Sequence, residues 1–205
     1  MFFSFDGIDG VGKTTQLQLF CEWLRSLGHP VVTCRDPGST PLGERIRDIL
    51  LHGGAELPIT LRTEMLLYMA TRAQLVEEII RPALENGQIV VSDRFLLANI
   101  AYQAFAGGLD ANIVRDVGCV ATAGIMPDCV FLLDMSETTA QKRLARELDR
   151  MEQQSKDYRL RVREGFLAEA RRDAQHIHVV DAAQSIDQLQ SQIQQLAKKV
   201  LDSMG

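Results

Sequence analysis

An α/β fold, with a parallel sheet of about five strands and helices on both faces, follows from three observations. Short apolar runs alternate with helix-like stretches along the chain. The runs are near-continuously apolar, as strands covered on both faces must be. A glycine-rich stretch, Gly7 to Thr14, follows the first run directly.

The first run is Phe2–Phe5. Gly7-Ile8-Asp9-Gly10-Val11-Gly12-Lys13-Thr14-Thr15 comes next, and its Gly-x-x-x-x-Gly-Lys-Thr core is a complete Walker A pattern between a strand and a helix. Leu17, Phe20, Cys21, Leu24 and Leu27 then fall on one helical stripe, with Gly28 where a C-terminal cap belongs. Val31–Cys34 reads as the second strand and Leu51–Pro58 as a loop. Met65, Leu66, Met69, Ala70, Ala73 and Val76 mark a longer helix that Pro82 is expected to bend or end. Ile89–Ser92 is the third strand, closed by Asp93-Arg94. Phe105–Asp110 reads as a loop. Val130–Asp134 and Ile177–Val180 complete the sheet, which makes the whole a P-loop fold. Ile186, Leu189, Ile193, Leu196 and Val200 form the last helix, with Ser185 and Gln188 spaced as a capping box. With no repeat and no long linker, the 205 residues are expected to form one domain.

The chemistry starts at the glycine-rich loop. Its glycines let successive backbone N–H groups turn inward around phosphates, and the helix N-terminus adds partial positive charge. Lys13 is placed to reach the β- and γ-phosphates of ATP, and the Thr14 hydroxyl to ligate Mg²⁺. Asp93, at the end of its strand, is expected to approach the same Mg²⁺. Lys142 to Arg163 is unusually rich in arginine. Arg143, Arg146 and Arg150 share one helical face, which suits a lid over the γ-phosphate at about residues 142–156, because the transition state spreads charge over three oxygens. Such a lid also excludes water.

Composition narrows the classes. Lys and Arg number 22 against 27 Asp and Glu, and the net charge of −5 argues against a nucleic-acid surface. No apolar stretch approaches the roughly 18–20 residues that span a bilayer. Met1 to Asp6 lacks a basic leader, so no signal peptide is expected. Cys21, Cys34, Cys119 and Cys129 form no C-x-x-C pair, and His176 and His178 lack a third ligand. Both patterns fit incidental side chains in a reducing cytoplasm. These residues alone define a small P-loop kinase without fixing its acceptor. A nucleotide-binding switch is the other reading, although no N-K-x-D guanine signal is present.

Further motifs, ordered along nearly the whole chain, resemble those of bacterial-type thymidylate kinases. They are Phe5-Asp6-Gly7 through Gln16, Arg35-Asp36-Pro37-Gly38-Ser39-Thr40 with Gly43-Glu44-Arg45-Ile46-Arg47, and Glu64 through Gln74. Asp93-Arg94-Phe95 with Ala101-Tyr102-Gln103, Pro127-Asp128 with Leu133-Asp134, and Glu147 through Glu152 complete the set. The resemblance implies transfer of the γ-phosphoryl of ATP to dTMP by a homodimer. It implies that Asp9 lies near the deoxyribose 3′-hydroxyl, that Tyr68 stacks on thymine in place of the usual Phe, and that Arg72 bonds a thymine carbonyl. Arg94 would hold the acceptor phosphate, Tyr102 would fill the place of a ribose 2′-hydroxyl, and Pro37 and Asn99 would line the acceptor side. Gly10 stands where eukaryotic-type relatives have a loop arginine, which shifts the catalytic cation to Arg146 or Arg150. Asp6, Asp36 and Ser39 replace Glu, Glu and Gly of the family pattern. Ala98-Asn99 departs from the common Ser-Ser or Ser-Thr.

Overall fold

The computed structural model describes residues 1–53, 57–143 and 155–203. Five parallel strands, β1 (Phe2–Asp6), β2 (Val31–Arg35), β3 (Ile89–Asp93), β4 (Cys129–Asp134) and β5 (Ile177–Asp181), lie in the order β2-β3-β1-β4-β5. Helices α1 (Lys13–Ser26), α2 (Pro41–His52) and α3 (Leu61–Leu75) precede β3. A π segment, Val76–Ile80, joins α3 to α4 (Arg81–Glu85). After β3 come α5 (Leu96–Asn99), a second π segment (Ile100–Ala106) and α6 (Ala111–Thr122). The helices α7 (Glu137–Arg143), α8 (Lys156–Arg172) and α9 (Ile186–Ser203) follow.

β1 shows why the strand runs are apolar throughout. Phe2 faces one core cluster with Val90, Met65, Met69 and Phe95, while Phe3 and Phe5 face the other with Phe20 and Phe131. Phe3 and Phe20 meet edge to face at 5.2 Å, and Phe20 meets Phe131 the same way at 5.3 Å. Both faces of the strand are therefore buried, and an alternating polar pattern has no place in it. β1 is also the point where the order of strands reverses, since β3 lies on one side and β4 on the other. A crevice opens at the carboxyl ends of the strands there.

Several local expectations hold in detail. Gly28 takes φ +87 just past α1, a conformation that needs no Cβ, and the His29 N–H returns to the Leu24 carbonyl. Ser185 Oγ accepts from the Gln188 N–H while Gln188 Oε1 accepts from the Ser185 N–H. Strands β1, β2, β3 and β5 each run one residue past the expected carboxyl end, and β4 begins one residue earlier, at Cys129.

Other expectations are corrected. Leu51 and His52 belong to α2, and Phe105 and Ala106 belong to the second π segment, so the loops expected there are shorter. Pro82 does not end its helix, which runs on through α4 to Glu85. The π turn before it changes the hydrogen-bond register, with the Arg81 N–H bonded to Val76, and Pro82 then sits in the first turn of α4 where its missing donor costs little. Of the arginine-rich run, Lys142 and Arg143 close α7 and Lys156 to Arg163 open α8, while Arg146, Glu147 and Arg150, and with them most of the expected lid, lie outside the described residues.

Candidate active site

The crevice holds a cavity of about 580 Å³, walled at one end by Gly10, Gly12, Lys13, Thr14 and Thr15 and at the other by Tyr68, Arg72, Asn99 and Gln103. Asp9, Arg94 and Tyr102 line the space between them, with Asp93, Pro37 and Arg143 also in the wall.

The loop has the backbone that phosphate binding needs. Gly7, Gly10 and Gly12 all take positive φ. A Cβ at Gly7 would stand 2.4 Å from the Leu133 carbonyl oxygen, so only glycine lets the loop pass β4. Lys13 begins α1, and its buried ammonium donates to the carbonyls of Gly7 at 3.1 Å and Ile8 at 2.9 Å. It also lies 3.4 Å from Asp9 Oδ1. Burial and the nearby Arg94 push the Lys13 pKa down, against the pull of Asp9. Ile8 and Val11 are buried in the core cluster beneath the loop and anchor it.

Asp9 is the hub of the cavity. Arg94 makes a short hydrogen-bonded ion pair with Asp9 Oδ1 and donates to the Gly7 carbonyl at 3.1 Å. Tyr102 donates its hydroxyl to Asp9 Oδ2 at 3.3 Å, and the Arg94 guanidinium lies 5.3 Å from the Tyr102 ring centroid. Burial alone would raise the Asp9 pKa, but Arg94 and Lys13 outweigh it and hold the carboxyl well below the usual range. Burial likewise pushes the Tyr102 phenol up, so it stays a neutral donor. Arg94 takes φ +66, a left-handed conformation that a non-glycine residue rarely holds, immediately after β3.

Beneath the loop, Asp6 at the end of β1 is fully buried. Its Oδ2 accepts from the Ser4 hydroxyl at 3.3 Å, and its Oδ1 has no hydrogen-bond partner among the described residues. Burial pushes its carboxyl up to about 7, against the lowering pull of Arg94 and Lys13.

The far wall carries a buried polar chain. Arg72 pairs through Nε with Asp36 Oδ2 at 2.6 Å, and its Nη2 donates to Asn99 Oδ1 and to the Phe95 carbonyl. Asn99 Nδ2 donates to Gln103 Oε1 at 2.7 Å, and Gln103 Nε2 donates to Glu64 Oε1 at 2.9 Å. Arg72 and Asn99 are expected site residues, and they sit together here. Asp36, Gln103 and Glu64 are sites that sequence reasoning missed as functional. For Glu64 and Gln103 the signal is a polar residue at a helical position facing the core, as Glu64 beside Met65 shows, whereas Asp36 lies just past the end of β2. Arg35 and Arg47 were also missed and line the cavity. Arg47 donates to the Pro37 carbonyl at 2.8 Å, and burial and Arg35 lower its pKa.

The second π segment is gripped from behind by α8. Tyr158 donates its hydroxyl to the Tyr102 carbonyl at 3.1 Å, and Arg161 donates to the Ala106 carbonyl at 3.3 Å. Phe166 packs edge to face on Tyr102 at 6.1 Å. Arg143 reaches the Ala182 carbonyl at 3.2 Å while lining the cavity. Burial pushes Cys21 up to about 11 and Cys34 and Cys129 up to about 12, so these three buried thiols supply no reactive thiolate. Among the described residues, no group of three or more His, Cys, Asp or Glu is placed to hold a metal by itself. Thr14 and Asp93 nonetheless both line the cavity beside Lys13, and a hydroxyl with one carboxylate is the hard, sparse donor set that Mg²⁺ uses with substrate phosphates.

Comparison with known proteins places this geometry among relatives. The thymidylate kinase family model matches residues 5–193. The thymidylate kinase of Bifidobacterium longum subsp. infantis is 44% identical over 196 residues, covering 95% of this chain and 84% of that protein. The thymidylate kinase of Rhodopirellula baltica is 43% identical over 184 residues, covering 90% and 74%. The crystal structure of thymidylate kinase from Ehrlichia chaffeensis superposes with a TM-score of 0.80 at 28% identity, over 96% of this chain and 98% of that one.

Proposed function

The chain belongs to the thymidylate kinase family, and from that premise we propose that it moves the γ-phosphoryl group of ATP to dTMP, giving ADP and dTDP. The observation that carries this reading is one cavity walled by a phosphate loop at one end and by Tyr68, Arg72 and Asn99 at the other. An acceptor phosphate oxygen attacks the γ-phosphorus in line. A new P–O bond forms, and the bond to the β,γ-bridging oxygen breaks.

Lys13 exchanges its carbonyl partners at Gly7 and Ile8 for phosphate oxygens, and the loop N–H groups from Gly7 to Thr15 cradle the β-phosphate. Arg94 supplies the fork for the acceptor phosphate. Asp9 takes the sugar 3′-hydroxyl, Tyr102 fills the 2′ position, Tyr68 stacks on the base, and Arg72 meets a base carbonyl, with Pro37 and Asn99 alongside. Thr14 and Asp93 would hold Mg²⁺, which would supply positive charge to neutralise the phosphates. The transition-state cation is Arg146 or Arg150, because Gly10 leaves the loop without an arginine. Arg150→Ala is expected to lower kcat by about 10²-fold or more, on the scale of arginine fingers. A normal kcat would move that role to Arg146 or Arg143.

The same reading gives one domain over residues 1–205, a lid at about 142–156 and a homodimer, with no nucleic acid and no membrane among its partners. No helix among the described residues is long and apolar enough to cross a membrane, and a cytoplasmic address fits the scattered thiols. The deciding experiment measures ADP release with ATP and Mg²⁺ against dTMP, dUMP, dCMP, CMP and thymidine. A clear preference for any acceptor other than dTMP overturns the assignment.

A further inference from the structure

The polar chain behind the base wall has a direction, and the groups at its ends fix it. Arg72 has only donors, and the Glu64 carboxylate has only acceptors. Between them stand two amides, Asn99 and Gln103, whose oxygen and nitrogen are interchangeable in shape. With donors entering at Arg72 and leaving to Glu64, each amide is held in one orientation: Asn99 turns Oδ1 to Arg72 and Nδ2 to Gln103, and Gln103 turns Oε1 to Asn99 and Nε2 to Glu64. All four side chains are buried, so a reversed amide would leave donor facing donor.

The orientation leaves a particular remainder. Arg72, Asn99 and Gln103 line the cavity, while Glu64 lies behind it. One Nδ2 hydrogen of Asn99 and one Nε2 hydrogen of Gln103 have no acceptor among the described residues, and one Nη1 hydrogen of Arg72 is likewise left over after Met69 Sδ. The wall is thus rich in donors. A pyrimidine with a carbonyl at position 4 offers an acceptor to it, whereas one with an amino group there brings another donor.

We infer that Glu64 is a positioning residue for base choice: it never touches the substrate, but by accepting from Gln103 it locks the amides so that the wall selects a 4-carbonyl pyrimidine and rejects a 4-amino one. The inference rests on the dTMP kinase reading above. An ordinary structural role for Glu64 would change stability or overall rate, but not the order of preference between two bases of the same size.

The test uses two variants of the full chain with dTMP and dCMP as probes. Glu64→Gln lets residue 64 donate as well as accept, so Gln103 is no longer held with Nε2 toward residue 64 and the two amides can reverse. The dTMP-to-dCMP ratio of kcat/KM should fall about 10-fold, the scale of one buried unpaired donor. The exchange variant Glu64→Gln with Gln103→Glu keeps the atoms, the charge and the number of hydrogen bonds while placing a carboxylate on the cavity side. It should fold where the single variant is strained, and its ratio should fall by about 100-fold. A ratio within about 2-fold of the starting protein in the exchange variant overturns the inference. Failure of the starting protein to prefer dTMP is a separate result, which overturns the functional reading instead.

Discussion

Asp6→Asn should flatten the dependence of stability on pH between about 4 and 7. Asp6 is wholly buried at the end of β1, and its carboxyl is raised from 3.8 to about 7, chiefly by desolvation. An acid whose folded pKa is raised binds more protons folded than unfolded in that interval. Its contribution is therefore fully present below pH 4, lost as pH rises toward 7, and constant above. At about 1.4 kcal/mol per pH unit the loss is on the order of 4 kcal/mol, an upper figure because Arg94 and Lys13 reorganise around the charge. Asp9 has its pKa lowered, so its stabilisation is lost only as pH falls below about 4, outside this interval. His178, with its pKa lowered mainly by burial, acts in the opposite sense, but equally in both proteins. The assay is urea unfolding of both proteins at pH 4.5, 6 and 7.5. The difference in unfolding free energy should shift in favour of the Asn variant by a few kcal/mol across the series. Parallel curves would refute desolvation as the cause and place the proton elsewhere.

Gly7→Ala should weaken ATP binding by at least about 10-fold by titration calorimetry, since its Cβ meets the Leu133 carbonyl oxygen at 2.4 Å and the loop must move. Gly12→Ala meets nothing within 4 Å and carries only the strain of φ +93, about 1–2 kcal/mol, so it should be the milder of the two. Gly165→Ala drives a methyl into the Phe105 ring, 2.7 Å away at Cβ. It should lower stability by about 1–3 kcal/mol in thermal unfolding while shifting the second π segment. Tyr102→Ala should narrow the preference for dTMP over its ribonucleotide counterpart in the ADP-release assay, and an unchanged preference would remove Tyr102 from sugar selection.

The strands and the loop were legible because short-range rules fix them. Phe2 to Asp6 is apolar on both faces, and the glycines of the loop are spaced for a turn that no other residue makes. The two π segments were not legible. Ile100–Ala106 reads like any apolar helix, and its wider register is fixed from outside, by Tyr158 on the Tyr102 carbonyl and Arg161 on the Ala106 carbonyl, each more than 50 residues away. The polar chain was hidden for the same reason. Glu64 and Gln103 are 39 positions apart, and each alone resembles a polar residue on the rim of an amphipathic helix. Only the fold, by bringing Glu64 of α3 within hydrogen-bond reach of Gln103 in the second π segment, makes them partners.

Charge gives the sharpest contrast between composition and site. The chain carries a net −5, which speaks against a polyanion as partner. The cavity wall reverses the sign: Lys13, Arg35, Arg47, Arg72, Arg94 and Arg143 stand against Asp9, Asp36 and Asp93. Burial first, and then the neighbouring cations Arg94 and Arg35, lower the pKa values of Lys13 and Arg47. Asp9 relieves part of that repulsion by binding Lys13, Arg94 and Tyr102 together. On the proposed reading, phosphates of donor and acceptor would relieve the rest, so each substrate would stabilise the fold around it. In a low-dielectric crevice that coupling is stronger than at an exposed surface, and it falls with added salt far less than a surface patch would.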